Sequence, residues 1–600
     1  MSHVASPISR LIDASVSVVR FPVLTTLMLN HRTSSSVFYG KAGRELLISA
    51  DIPREINHKM RSLKKRIILL FGLLILVNAF SATENVDLNV MMKIREEGFT
   101  NSKVMDIAGY LCDVIGPRLT GSPNSKKAHE WTRQQLETWG LVNAHVESWP
   151  FGRGWSVEHV SAHLTEPEHS PLIVWPRAWT PGTRGLVKGK VVAVKIGSES
   201  DFEKYRGKLA GMILLTEDKR ELKPHEQADS KRLTSEQLEE IRKYNIPAGG
   251  QPPSNAKEEY LKRIKFQKAL RQFYQDEKVL AIIEPAQGDG GILRNLRGPD
   301  YYKPEEAFPI PNLFLSAEQY NRLIRLLERK IEPEVELDVR VRFNDGDLLD
   351  GNTLAEIPGS DKKEEVVMLG AHLDSWHLGT GATDDGAGCA VAMEAVRILK
   401  ALGVQPRRTI RVALWGGEEQ GLLGSREYVS RHLASFPEPT DPEEKKVPSF
   451  FRKQEGPLDL KPDYSKFSVY FNFDEGGGKI RGVYAQDNLP AAGIFENWLK
   501  PFSDLGAATV TVNRNDGGTD HLSFDAMGLP GFQFIQDELE YFSRTWHTNM
   551  DVYDRLHKED LMEASVVMAA FVYNAAMRDE PFPRRPLPEK LIPKGTQKGK

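Results

Sequence analysis

Apolar residues recur at two spacings along this chain, and the changes of spacing mark its organisation. Val104, Ile107, Ala108 and Leu111 form a helical stripe over residues 102–115, ended by Gly116-Pro117. Residues 126–141 predict a second amphipathic helix, with Trp131, Leu136 and Trp139 on or near one face, followed by a strand over 142–149. From about Glu166 to Lys330 the pattern shifts to short β-like runs (191–196, 212–216 and 279–284) bounded by turns, and a helix over 316–330 closes this part. Between those runs, residues 218–276 are densely charged, with helical patterns at 235–243 and 258–274; such a run reads as a solvated helical face. Proline-rich patches at 167–181 and 304–311 are boundary material.

Residues 335–585 alternate between the two periods. Strands are predicted at 335–341, 365–370, 409–415, 467–473 and 531–535, most of them densely apolar. Helices are predicted at 387–402, where Val391, Ala395 and Ile398 join Ala392, Val396 and Leu399 in a wide apolar face, and at 560–577. Alternation of this kind implies an α/β fold, a mixed but mostly parallel sheet sandwiched by helices. Ligands in such sheets gather beyond the carboxyl ends of the strands.

Composition narrows the function. The 600 residues exceed what one ordinary core accommodates, so at least two domains are expected. Apolar residues at 40% and charged residues at 27% exclude a largely disordered chain and a multi-span membrane protein. Lysine and arginine total 79 against 82 acids, a formal charge of −3, which gives no general attraction to nucleic acid or to an anionic membrane. Cys112 and Cys389 make one bridge at most and cannot supply an all-thiolate zinc site, so chemistry falls to His, Asp and Glu.

The one long apolar run, residues 67–80, follows Arg61, Lys64, Lys65 and Arg66 and is interrupted by Gly72 and Asn78. It is short for a bilayer span, which takes about 20 residues. A basic flank, a short apolar stretch and the small residues Ala79, Ser81 and Ala82 match a secretory signal peptide over 60–82. Met60 is then the expected initiator, residues 1–59 an over-extended or disordered leader, and the protein secreted or periplasmic. The alternative is an uncleaved signal anchor with a short cytoplasmic tail.

The four later predicted strands of the second half each lead to an imidazole or an acid. Residues 365–370 run into His372-Leu373-Asp374, with Asp384 twelve residues beyond His372 and just before a helix. Residues 409–415 end in Gly416-Gly417-Glu418-Glu419, residues 467–473 in Asp474-Glu475, and beyond 531–535 lies Trp546-His547. Two imidazoles and three or more carboxylates at one sheet edge form a hard-to-borderline metal site. Unneutralised, those carboxylates repel and raise one another's pKa, which favours two divalent ions over one. A bridging carboxylate would hold the pair about 3.5–4 Å apart, and Asp384, a short side chain at a helix start, suits that role. Capping of the helix by Asp384 and Asp385 accounts for those two residues taken alone, but not for their setting between His372 and Glu418-Glu419.

In order, AHLDSW, TDDGAG, WGGEEQGLLGS, NFDEGG and WHTNMDVYDR resemble the motifs of peptidase family M28, the zinc exopeptidases, and within it secreted members. The likeness covers about 335–580 and part of 95–160, including Ile115-Gly116-Pro117-Arg118-Leu119-Thr120-Gly121-Ser122. The middle of the chain resembles a smaller α+β protease-associated (PA) domain inserted into that zinc exopeptidase fold. The resemblance implies a catalytic domain over 84–165 and 333–585, an insert over 166–332 and a polar basic tail over 586–600. It implies His372 and Asp474 as ligands of one Zn(2+), Glu419 and His547 as ligands of a second, and Asp384 as the bridge. Glu418 is the implied general base and Asp374 the acid that holds the His372 ring.

His521 resembles part of a family segment lying over the site and is a candidate for substrate binding or oxyanion stabilisation, with Tyr541 and Arg544 as further cleft candidates. His377 reads as a solvated bystander. The expected activity is hydrolysis of short peptides or dipeptides by a secreted dizinc exopeptidase. It calls for no nucleic acid and no stable membrane span after signal cleavage, and it is compatible with a homodimer. The metal core is common to amino- and carboxypeptidases and leaves that polarity open. The alternatives are a single-zinc cyclase of the glutaminyl-cyclase type and a non-catalytic receptor-like protein, the latter expected to lose ligands. N-terminal sequencing of the exported protein is expected to start just after Ala79, Ser81 or Ala82; mature protein retaining residues 1–59 would overturn the signal-peptide reading.

Overall fold

The computed structural model describes residues 84–245, 256–295, 301–442, 456–515 and 517–593, all within one unit, Thr83–Lys600. The leader and signal-peptide readings on 1–82 and the end of the basic tail lie outside the described residues.

Two eight-stranded sheets organise the chain. The first runs in the order Val142–Pro150, Leu349–Ile357, Arg408–Trp415, Lys362–His372, Phe467–Asn472, Gly531–Gln536, Ile480–Tyr484, Thr509–Thr511. Its middle four strands are parallel, and antiparallel neighbours flank them, so the sheet is mixed as expected. Strands Phe467–Asn472 and Gly531–Gln536 are buried at every position, which explains their near-continuous apolar sequences: both faces of the sheet are covered. On one face lies helix Ala387–Ala401, backed by Lys558–Met577 and Leu88–Thr100. Its apolar surface wraps nearly all round because it is enclosed between sheet and helices. The other face is an aromatic layer of Trp415, Tyr428, Tyr470 and Phe524 under helices Leu423–His432 and His521–Asp525.

The second sheet runs Ser170–Pro171, Gly154–Glu166, Glu334–Asn344, Val187–Ala193, Ile213–Leu215, Ala281–Pro285, Asn312–Leu315, Val174–Pro176. Its two long strands, Gly154–Glu166 and Glu334–Asn344, pair antiparallel along their length. The expected boundaries at 166 and 332 fall at the facing ends of this pair, one at the last residue of Gly154–Glu166 and one just before Glu334, so residues 154–165 and 335–341, assigned from sequence to the catalytic part, belong to the second sheet. The physical reason is that a chain leaving and re-entering one layer brings its two crossing segments side by side, where they satisfy each other's backbone groups. One face of this sheet packs Tyr320 and Leu323 of helix Ala317–Glu328. Opposite lies a cluster including Trp155, Trp179, Tyr302 and Trp376, and Trp376 comes from the first sheet's loop after His372. The two layers thus share core.

Strands Leu349–Ile357 and Ile480–Tyr484 were not anticipated; Asp350, Gly351 and Asn352 in one, and the brevity of the other, hide the period. Helix Val104–Gly109 passes into a wider turn, Tyr110–Ile115, and stops at Gly116, whose φ of +80° suits only glycine well. Cys112 and Cys389 are free and buried, so no bridge joins them. Among the described residues no helix is long and apolar enough to cross a membrane.

Gly370 has no room for a side chain between the central strands: a Cβ there would meet the Ala413 carbonyl oxygen and press on the Tyr470 hydroxyl. Gly370→Ala is expected to cost about 2–3 kcal/mol in urea unfolding. Gly493→Ala, in a helix with open space around the position, is expected to be neutral or to stabilise by up to about 1 kcal/mol.

Candidate metal centre

Four parallel strands deliver their carboxyl ends to one place. His372 is the last residue of its strand, Glu418 and Glu419 follow Trp415 after a Gly-Gly turn, and Asp474 follows Asn472 by two residues. His547 stands beyond Gln536, in a turn where its own φ is +59°. Asp384 sits in the turn Ala382–Gly386 that opens helix Ala387–Ala401.

These side chains form two triads with one shared member. His372, Asp384 and Asp474 offer donor atoms within 4.8 Å of one another, and so do Asp384, Glu419 and His547. His372 Nε2 lies 3.2 Å from Asp384 Oδ1 and 3.6 Å from Asp474 Oδ1. His547 Nε2 lies 3.3 Å from Asp384 Oδ2 and 3.0 Å from Glu419 Oε2. Asp384 therefore turns one oxygen to each triad.

The donor set fits divalent cations. Asp384 Oδ2 and Glu419 Oε1 are buried without a hydrogen-bond donor, a costly state for carboxylate oxygens that coordination would relieve. Burial, together with the charge of Asp384, pushes the Glu419 carboxyl up to about 7, against the lowering influence of His547. Burial and the charge of Asp474 likewise push Glu418 and Asp385 well above the carboxylate range. An imidazole pair cannot neutralise so many acids; two divalent ions can.

Neighbouring groups fix each donor. His372 Nδ1 is 2.9 Å from the backbone oxygen of Asp374 and 3.6 Å from its carboxylate. The ring is thus held by the Asp374 carbonyl more closely than by the acid expected to hold it. That carboxylate instead accepts the backbone N–H groups of Glu418 at 3.0 Å and Glu419 at 3.3 Å and the Thr120 hydroxyl at 2.8 Å. Asp374 thereby shapes the turn that carries the general-base candidate and one ligand. His547 Nδ1 meets the backbone oxygen of Asn295, 3.1 Å away on a loop of the second sheet's half.

Several supporting residues went unrecognised in the sequence. Asp551 accepts the Thr383 N–H at 2.6 Å, its hydroxyl at 2.7 Å and the Asp384 N–H at 3.2 Å. Asp385 accepts from the His372 and Gly388 N–H groups. Arg118, fully buried, donates to the carbonyls of Leu373, Thr380 and Gly381 and so pins both ends of the loop between His372 and Asp384. Asp551 lies in the WHTNMDVYDR motif and Arg118 in the IGPRLTGS stretch; both signals were present, but nothing local states what they hold.

Glu418, Asp384, Glu419, Asp474 and His547 line a cavity of about 860 Å³. Tyr541 lines it too, next to Asp384. His521 does not: it is fully buried, with Nε2 2.8 Å from Asn515 Oδ1, and burial drives its pKa down to about 3. A residue walled in by packing does not meet substrate or oxyanion. Arg544 also turns elsewhere, pairing with Asp229 at 2.9 Å beside a separate cavity. His377 is buried rather than solvated; its Nε2 is 2.8 Å from the Pro176 carbonyl oxygen.

Residues 352–572 match the model of Peptidase family M28. Over 478 residues the chain is 27% identical to carboxypeptidase Q of Mus musculus, spanning 79% of this chain and 86% of that protein. Over 233 residues it is 29% identical to aminopeptidase YwaD of Bacillus subtilis (strain 168), or 37% of this chain and 44% of the relative. The structure of a peptidase M28 precursor from Shewanella amazonensis SB2B superposes with a TM-score of 0.56 at 24% identity, covering 84% of this chain and 99% of that one, which establishes a common fold.

Without metal, the raised carboxyls make stability pH-dependent. Glu419 and Asp551, both near 7 when folded, bind protons more tightly in the native state than in the unfolded chain, where they titrate near 4.5 and 3.8. Stability should therefore fall as pH rises from about 4 to about 7, on the order of a few kcal/mol. The raised pKa values of His372 and His547 act in the same direction above pH 6.5. Thermal melts of chelator-treated protein should show this decline and metal-loaded protein should largely lose it; a flat or rising metal-free profile would contradict the charge balance described.

Proposed function

We propose that the chain, whose residues 352–572 match the model of peptidase family M28, is a metallopeptidase of that family, a secreted zinc exopeptidase that trims short peptides or splits dipeptides. The observation that carries this reading is the pair of donor triads sharing Asp384, with Glu418 on the wall of the same cavity. The similarity to proteins named carboxypeptidase Q and aminopeptidase YwaD supports an exopeptidase without fixing which end is trimmed. The apolar, basic-flanked run before residue 83 supports export.

His372 and Asp474 would hold one zinc and Glu419 and His547 the other, with Asp384 between them. Bound there, the ions supply Lewis acidity toward the scissile carbonyl and a water acidic enough to be deprotonated near neutral pH. Glu418 sits one residue before a ligand, with its backbone N–H tied to Asp374, and is placed to accept the proton of the attacking water. The same carboxyl then returns that proton to the leaving amine as the C–N bond breaks, which leaves Glu418 ionised for the next cycle. Asp374 and Asp551 keep the donor loops in register through the contacts described above. The cavity wall carries charges of both signs, Arg426, Glu475 and Glu538 among them, with Arg514 paired to Asp525 and Asp487.

Glu418→Gln is expected to retain both metals and to lower turnover of peptides by at least about 10²–10⁴-fold. Elemental analysis of the same preparation should give two zinc ions per chain. One ion would favour a cyclase of the same fold, and an active Glu418→Gln protein would remove Glu418 from its role.

A further inference from the structure

The charged stretch expected to be a solvated face does something else in part. Leaving the second sheet after Ile213–Leu215, the chain crosses to the first sheet, and Leu233, Ile241 and Asn245 line the cavity that holds the donor triads. Leu233 and Ile241 remain partly exposed, although they lie in a segment otherwise made almost entirely of polar and charged residues.

This crossing segment is fastened at both ends. Lys231 and Leu539 exchange backbone hydrogen bonds of 2.8 and 2.7 Å. The Leu233 N–H donates to Asp537 at 2.9 Å, and its carbonyl accepts from Arg481 at 2.9 Å. Arg232 pairs with Asp537 at 3.0 Å and with Asp560 at 2.9 Å; Asp537 is fully buried. Helix Ser235–Arg242 begins at Thr234, whose side chain and that of Gln237 cap it reciprocally. At the far end Asn513 donates to the carbonyls of Ile241 and Lys243 and accepts from the Asn245 N–H at 2.9 Å. Such fastening holds two apolar side chains at fixed positions over a polar site, the arrangement by which a pocket selects side chains.

Resting on the peptidase reading above, we propose that residues 231–245 form a specificity wall, in which Leu233 and Ile241 receive the apolar side chain of a short peptide whose scissile bond lies at the donor triads. A side chain seated against them leaves water together with both wall residues, whereas glycine gains nothing there. Selection for leucine-like over glycine-like residues follows. The wall belongs to the insert, so this preference is set by a part of the chain that supplies no metal ligand.

The test is a substrate series, Leu-Leu against Gly-Gly, with the zinc-loaded full chain. Replacing both Leu233→Ser and Ile241→Ser should lower kcat/KM for Leu-Leu by about 10-fold or more and leave Gly-Gly unchanged. Zinc content and melting midpoint should stay as in the parent, and Leu233→Met alone, which conserves volume, should keep the preference. Equal losses on both peptides, or an unchanged ratio, would overturn the proposal. A parallel arm measures the dissociation constants of the two peptides by calorimetry on Glu418→Gln protein with and without the wall substitutions. If the parent cleaves no peptide at all, the peptidase reading fails; the calorimetric ratio still decides the wall, because a selective loss of Leu-Leu affinity supports it and an unselective one removes it.

Discussion

A crowd of acids held at the carboxyl ends of four parallel strands is the constraint on which this molecule is built. Asp384, Glu419 and Asp474 lie within coordination reach of two imidazoles, with Glu418, Asp385 and Asp551 close behind. Left unneutralised, Glu418, Glu419, Asp385 and Asp551 hold protons more tightly than free carboxyls do, because burial and the neighbouring negative charges disfavour their ionised forms. Divalent cations convert the same repulsion into binding energy, so the feature that opposes folding of the metal-free chain is the one that makes the metal site.

Holding such a crowd requires a rigid surround. Backbone N–H groups do most of that work: Glu418 and Glu419 donate to Asp374, Thr383 and Asp384 to Asp551, His372 and Gly388 to Asp385. Arg118 adds a buried positive charge that donates to carbonyl oxygens of the 373–381 loop and ties it. The second sheet takes part as well. Asn295 orients the ring of His547, Leu293 and Asn549 exchange hydrogen bonds beside it, and Trp376 enters the aromatic cluster on the second sheet's face. The part of the chain that carries the second sheet thus orients one donor of the triads and also lines the cavity.

Much of this is legible in the sequence. The strands ending at His372, Trp415, Asn472 and Gln536 carry dense apolar stretches, and such stretches followed by His, Glu or Asp mark both the sheet and its reactive edge. Helix Ala387–Ala401 followed from its wide apolar face, and Lys558–Met577 from the helix expected over 560–577. Less legible was the second sheet, whose strands are short and mostly separated by charged insertions; its two longest members lie 168 positions apart at their facing ends, Glu166 and Glu334. His521, Arg544 and His377 show the limit for side chains. Their residue types suit a cleft, yet Asn515, Asp229 and Pro176 already engage them.

The sequence by itself determined the residue types, their order and the elements that carry them, because periodicity and strand-end chemistry are local properties of a chain. It thereby showed which imidazoles and acids stand at strand ends and the role open to Asp384, while their division into two sets was implied by the resemblance to family M28. Tertiary structure alone decided which buried polar groups face the cavity, which carbonyl orients each imidazole, and that a charged stretch of the insert lies against the first sheet. Those outcomes depend on contacts between segments hundreds of residues apart, and hydrogen-bond geometry and desolvation, which settle them, leave no periodic trace in the chain.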